Sequence, residues 1–145
     1  MPRAVLDPNV LIAASISPRG APAAHYLALA RGEFELVVSP LLLAELDRVL
    51  TRTKFRRYAS LEQAQAFVGA VARLAVVVDD PPRTAGLKAD PDDDYLVSLA
   101  SAAGVDALVS GDRHLLSLRS NRPAVLTARE FLDQFGTKTA PKPVD

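Results

Sequence analysis

Asp7, Glu45, Asp93 and Asp112 lie far apart in the chain, yet each stands where an apolar strand-like run ends or where a helix with an apolar face begins. If those ends converge, they form a pocket of carboxylates. Two carboxylates about 4 Å apart repel by about 4 kcal/mol at an effective dielectric near 20, so four clustered acids demand a cation. Oxygen donors alone, in a chain with no cysteine and two histidines, point to Mg²⁺ or Mn²⁺ and away from structural zinc.

Each acid also has a plainer use. Asp7 follows the strand RAVL and precedes Pro8, which disfavours the α conformation at Asp7 and is expected to carry the chain straight off the strand. The carboxyl end of a strand is where open α/β sheets bind ligands, and it is equally a place for ordinary turn chemistry. Glu45 stands at the border of the stripe Leu42, Leu46, Val49 and Leu50, where a solvated helix flank is the ordinary outcome. In the run Asp90-Pro91-Asp92-Asp93-Asp94, acids near a helix start cap it and complement its dipole. Helical spacing aligns Asp93 with Leu96, Val97 and Ala100, puts Asp94 on the polar side, and leaves Asp92 open as a second inward position. Asp112 closes ALVSGD, where Ser110 and Gly111 let the backbone come close to a ligand. Asp79-Asp80 also follows a strand, but Pro81-Pro82 leads it into a loop and favours a structural role. His25 is expected in a helix and His114 in a loop, neither needed for the chemistry.

Positioning these groups requires alternating strands and helices. Five short apolar runs read as strands buried on both faces: Arg3 to Leu6, Leu36 to Ser39, Ala75 to Val78, Ala107 to Ser110 and Ala124 to Leu126. Helices fill the gaps. One runs from Ala21 to Arg31, with Pro22 in its first turn and Gly32 after its end. Ser39-Pro40 opens another, and two capping boxes, Ser60 with Gln63 and Thr127 with Glu130, open helices reaching about Leu74 and Phe135. The alternation predicts an α/β fold around a parallel sheet of about five strands.

The whole chain sets limits on these readings. Its 145 residues, 49% of them hydrophobic, suit one domain over 1–136 with a flexible tail over 137–145. Seventeen acids balance seventeen lysines and arginines, so no global positive field announces a nucleic-acid binder. Any polyanion contact must be local, and the densest basic stretch is Arg48, Arg52, Lys54, Arg56 and Arg57, with Phe55 and Tyr58 interleaved. A solvated helix end explains that stretch equally well. The lack of cysteine excludes a disulfide framework and fits a reducing compartment, and no apolar run approaches a membrane span. The expected setting is soluble and cytoplasmic.

Read in order, LDPN from Leu6, VVSPLLLAEL from Val37, DPDDDYLVSLA from Asp90 and LVSGDRHLL from Leu108 resemble a PIN-domain ribonuclease, most nearly the PIN-family, VapC-like toxins of toxin–antitoxin systems. The resemblance spans about residues 3 to 133. It implies a three-layer α/β/α domain and a divalent-metal site that cleaves single-stranded RNA. The family's acids fall on Asp7, Glu45, Asp93 and Asp112, which would hold one or two Mg²⁺ or Mn²⁺ ions, with Asn9, Ser39, Asp90 and Ser110 in support. It also implies a small antitoxin partner and a homodimer. One departure is Pro8, where the family usually has Thr or Ser; it removes a hydroxyl and a backbone N–H beside the metal. A PIN nuclease of RNA processing or of structured DNA, and a catalytically silent metal-, RNA- or partner-binding module, are the alternatives.

Overall fold

The computed structural model of the chain describes residues 1–16, 20–82, 91–118 and 123–135, the side chains of 21–23, 91–94 and 118 excepted. Five parallel strands, β1 (Arg3–Leu6), β2 (Glu35–Val38), β3 (Val76–Val77), β4 (Ala107–Val109) and β5 (Ala124–Leu126), form one sheet in the order β3-β2-β1-β4-β5. Registers such as Ala4 opposite Leu36 and Leu6 opposite Val109 bring the carboxyl ends of β1, β2 and β4 to one edge. All five strands fall where the apolar runs predicted them, with ends one residue shorter at Ser39, Ala75, Val78 and Ser110. Ser39 leaves its strand because its hydroxyl caps the next helix.

Seven α-helices lie among the described residues: α1 (Pro8–Ile16), α2 (Ala21–Ala30), α3 (Pro40–Leu50), α4 (Leu61–Leu74), α5 (Pro91–Ala103), α6 (Arg113–Leu118) and α7 (Ala128–Phe135). The chain steps from β1 outward to β2 and β3, then returns past β1 to β4 and β5. With right-handed crossovers, that single reversal puts α1 to α4 on one face and α5 and α6 on the other. Packing agrees: α1 touches α2 and α3, α3 touches α4, and α5 lies on β1 and β4. The result is the expected three-layer α/β/α arrangement, its core built from Val5, Leu6, Leu36, Leu46, Leu99 and Leu108 among others.

The helix ends follow local chemistry. Ser60 and Gln63 exchange reciprocal bonds of 3.1 and 2.8 Å, and Thr127 and Glu130 do the same at 3.0 Å each. Gly32 has φ 71°, a left-handed turn after α2 that suits a residue without Cβ.

Two local expectations are corrected. The chain does not run straight on after β1: α1 begins at Pro8 itself, because proline's fixed φ suits the first helical position, where its missing N–H has no helical partner to lose. His114 stands in α6 rather than in a loop, its backbone N–H bonded to the Asp112 carboxylate that caps the turn. The tail over 137–145 lies outside the described residues.

Candidate metal and nuclease site

In the sheet order the strand direction of travel switches between β1 and β4, and a crevice opens outside the carboxyl ends of such a pair. Asp7 follows β1 and Ser110 follows β4, so both stand at that crevice. Their side chains meet: the Ser110 hydroxyl, fully buried, donates to Asp7 Oδ2 at 2.9 Å and accepts from the Asp112 backbone N–H at 3.0 Å. One serine thus couples two of the acids. The other Asp7 oxygen accepts from the Asn9 N–H at 3.0 Å, closing a turn that caps α1, and the Asp7 N–H donates to the Val109 carbonyl at 2.8 Å.

Asp7 is 7% exposed. Burial pushes its carboxyl above the usual range, the Asn9 and Ser110 bonds pull it down, and the negative charges of Glu45 and Asp112 push it up again. Glu45 and Asp112 therefore stand close enough to act on Asp7, although neither is bonded to it. Among the described residues no basic side chain pairs with Asp7.

Glu45 reaches this field from α3. Its Oε2 accepts a 2.6 Å bond from the Tyr95 hydroxyl on α5, and its Oε1 lies 3.8 Å from Arg48 Nη2. Burial, the bond to Glu45 and the charges of Glu45, Asp7 and Asp80 all raise the Tyr95 hydroxyl's pKa, so the ring stays neutral and donates. Sequence patterns alone do not single out Tyr95, although a tyrosine four residues before buried Leu99 is a signal, since its ring can pack while its hydroxyl seeks a partner. Asp80 has the structural role expected of it, its Oδ2 accepting from the Leu41 N–H to cap α3 at 3.0 Å. Its charge nevertheless bears on Tyr95.

The remaining expected residues divide. Asn9 contributes its backbone N–H and leaves its side chain exposed. Ser39, fully buried, accepts from the Leu42 N–H at 3.3 Å and caps α3, and the β1–β2 register puts it at the same strand ends as Asp7. Asp90 and the side chain of Asp93 lie outside the described residues; the Asp93 backbone belongs to the first turn of α5, whose start stands at the same sheet edge. In the basic stretch Arg48, Arg52, Lys54 and Arg57 are exposed, while Arg56 donates to the Leu50 carbonyl. Lys54 and Arg57 rest over the rings of Phe55 and Tyr58 at 5.1 and 5.7 Å.

Among the described residues no three carboxylates or histidines come close enough to form a complete cation cage. The donor chemistry does suit a hard divalent ion: every candidate ligand is a carboxylate oxygen, and buried Asp7 sits in the field of two further acids without a counter-charge.

The comparisons agree with this architecture. MJ1680 of Methanocaldococcus jannaschii, an uncharacterized protein, is 25% identical over 142 residues, covering 92% of this chain and 91% of that protein. Two solved structures share the fold. One is VapBC2 from Rickettsia felis bound to a DNA fragment from their promoter, at TM-score 0.60 and 18% identity over 86% of this chain and 96% of that one. The other is PAE2754 from Pyrobaculum aerophilum, at TM-score 0.62 and 19% identity over 93% of this chain and 89% of that one. The family description PIN domain matches residues 3–114. With that match over most of its length, the chain belongs to the PIN-domain family.

Proposed function

We propose that this protein is a divalent-metal-dependent endoribonuclease of single-stranded RNA, and the toxin of a type II toxin–antitoxin pair. The observation that carries the proposal is Asp7, a buried carboxylate tied through Ser110 to the Asp112 loop and held in the field of Glu45 at the sheet's ligand-binding edge. PIN domains are generally nucleases and generally use divalent metals, and the likeness to VapBC2 supports an antitoxin partner.

In this reading Asp7, Glu45, Asp93 and Asp112 hold one or two Mg²⁺ or Mn²⁺ ions. Such a bound cation lowers the pKa of a water and offsets charge on the phosphate. The chain's own residues do the rest. Ser110 keeps one Asp7 oxygen fixed, Asn9 N–H fixes the other, and exposed Arg52, Lys54 and Arg57 offer phosphate contacts beside the α3 end. Products carry 5′-phosphate and 3′-hydroxyl ends, and the protein works as a homodimer silenced by its antitoxin in the cytoplasm.

A second reading, a silent metal- or partner-binding module, rests on Pro8, which supplies no hydroxyl next to Asp7. Its missing N–H costs the fold nothing, as α1 begins there. Cleavage of a labelled single-stranded RNA panel with Mn²⁺, Mg²⁺ or EDTA, by the native chain and by Asp7→Asn and Asp93→Asn, decides between them. Metal-dependent cutting that falls at least about 100-fold in both variants is the expected result, the scale of losing one group that stabilises transition-state charge. A folded native protein that binds Mn²⁺ and cuts neither RNA nor DNA establishes the silent module.

A further inference from the structure

Among the site acids whose side chains are described, Glu45 alone sits on a helix flank, with a long side chain and 27% of its side-chain surface exposed. Left alone it would sample several rotamers, and a carboxylate that wanders makes a poor ligand. Tyr95 prevents this. Its hydroxyl crosses from α5, on the opposite face of the sheet from α3, and donates to Glu45 Oε2 at 2.6 Å. Arg48, the other neighbour, is itself mostly exposed and stands 3.8 Å from Oε1, a weak restraint beside a short charge-assisted bond.

The tyrosine's ring and its hydroxyl serve separate ends. Leu96, Leu99 and Ala100 already anchor α5 in the core, all at or below 3% exposure. The hydroxyl adds no apolar contact; it ties the helix carrying Asp93 to the helix carrying Glu45. We propose that Tyr95 is a positioning residue of the metal site, orienting Glu45 so that its carboxylate faces the crevice shared with Asp7. This inference rests on the metal-site reading above and deepens it. Orienting partners of this kind act through the ligand and never touch the ion.

The test is Mn²⁺ affinity by calorimetric titration, and the thermal midpoint with and without Mn²⁺, for the native protein, Tyr95→Phe and the control Tyr58→Phe on an exposed ring. Tyr95→Phe is expected to bind Mn²⁺ about tenfold more weakly, as when an outer partner of a ligand is removed, and to lose part of the Mn²⁺-induced rise in midpoint while its metal-free midpoint stays near native. Tyr58→Phe should match the native protein in every measurement. If Tyr95→Phe binds Mn²⁺ as tightly as the native protein, whatever its midpoint, Tyr95 is packing and the inference falls while the metal site stands. If the native protein itself shows no Mn²⁺ binding, the metal reading and the role of Tyr95 fall together.

Discussion

Asp7 carries a cost in the folded, metal-free protein. Burial first, then Glu45 and Asp112, hold its carboxyl above the unfolded value of 3.8. A group with a raised folded pKa contributes stability that is fully present below the unfolded pKa and lost as pH rises through the folded one, so ionised Asp7 weighs against folding at neutral pH. Asp7→Asn keeps an oxygen for the Asn9 N–H and removes the charge. Its thermal midpoint in EDTA at neutral pH is therefore expected to lie above the native one, the reverse of its effect on cleavage, and differential scanning calorimetry reads the sign directly. Asp7 and Asp112 were legible at the sheet edge because each stands in the loop after an apolar strand, which local patterns reveal. The Ser110 bridge and the Tyr95 bond were not, since they join residues 103 and 50 positions apart.

Among the elements, helix ends announced themselves and apolar interiors did not. Both capping boxes form as spelled, because every partner lies within four residues. By contrast α1, PNVLIAASI, is apolar nearly all round and shows no 3.6-residue stripe, and α6 is six residues long, too short for a period to register. The contact between α2 and α7 carries a pH dependence. His25, 1% exposed, stacks on Phe131 at 5.0 Å and lies 2.7 Å through Nε2 from the Ala128 carbonyl, with Nδ1 sealed and without a partner among the described residues. Burial lowers its pKa below 6.5, against a smaller opposing pull from the Ala128 bond. The unfolded chain then takes up the proton first, so stability is lost as pH falls below about 6.5. The thermal midpoint is expected to drop between about pH 7 and 5.5, and His25→Gln, which keeps a donor for Ala128 without titrating, should flatten that drop.

On the scale of the whole molecule, seventeen positive and seventeen negative residues cancel, so any attraction of a polyanion must come from where the charges sit. Arg52, Lys54 and Arg57 project from the α3–α4 connection, whereas Arg56 is committed to the Leu50 carbonyl. Charge reversal at Arg52 and Arg57 together is expected to reduce the slope of log affinity against log salt by about 1.4 for single-stranded RNA, about 0.7 for each phosphate that is no longer neutralised; an unchanged slope dismisses the patch. The sheet order has a consequence of another kind. β1 is the first strand made and ends in the middle of the sheet, and its partner β4 follows only after Val105. On a ribosome adding residues at ordinary rates, Asp7 waits roughly 5–20 s for Ser110 to be synthesised. Until then the emerging polypeptide has no assembled crevice between β1 and β4, so whatever depends on that crevice is withheld until β4 has been made.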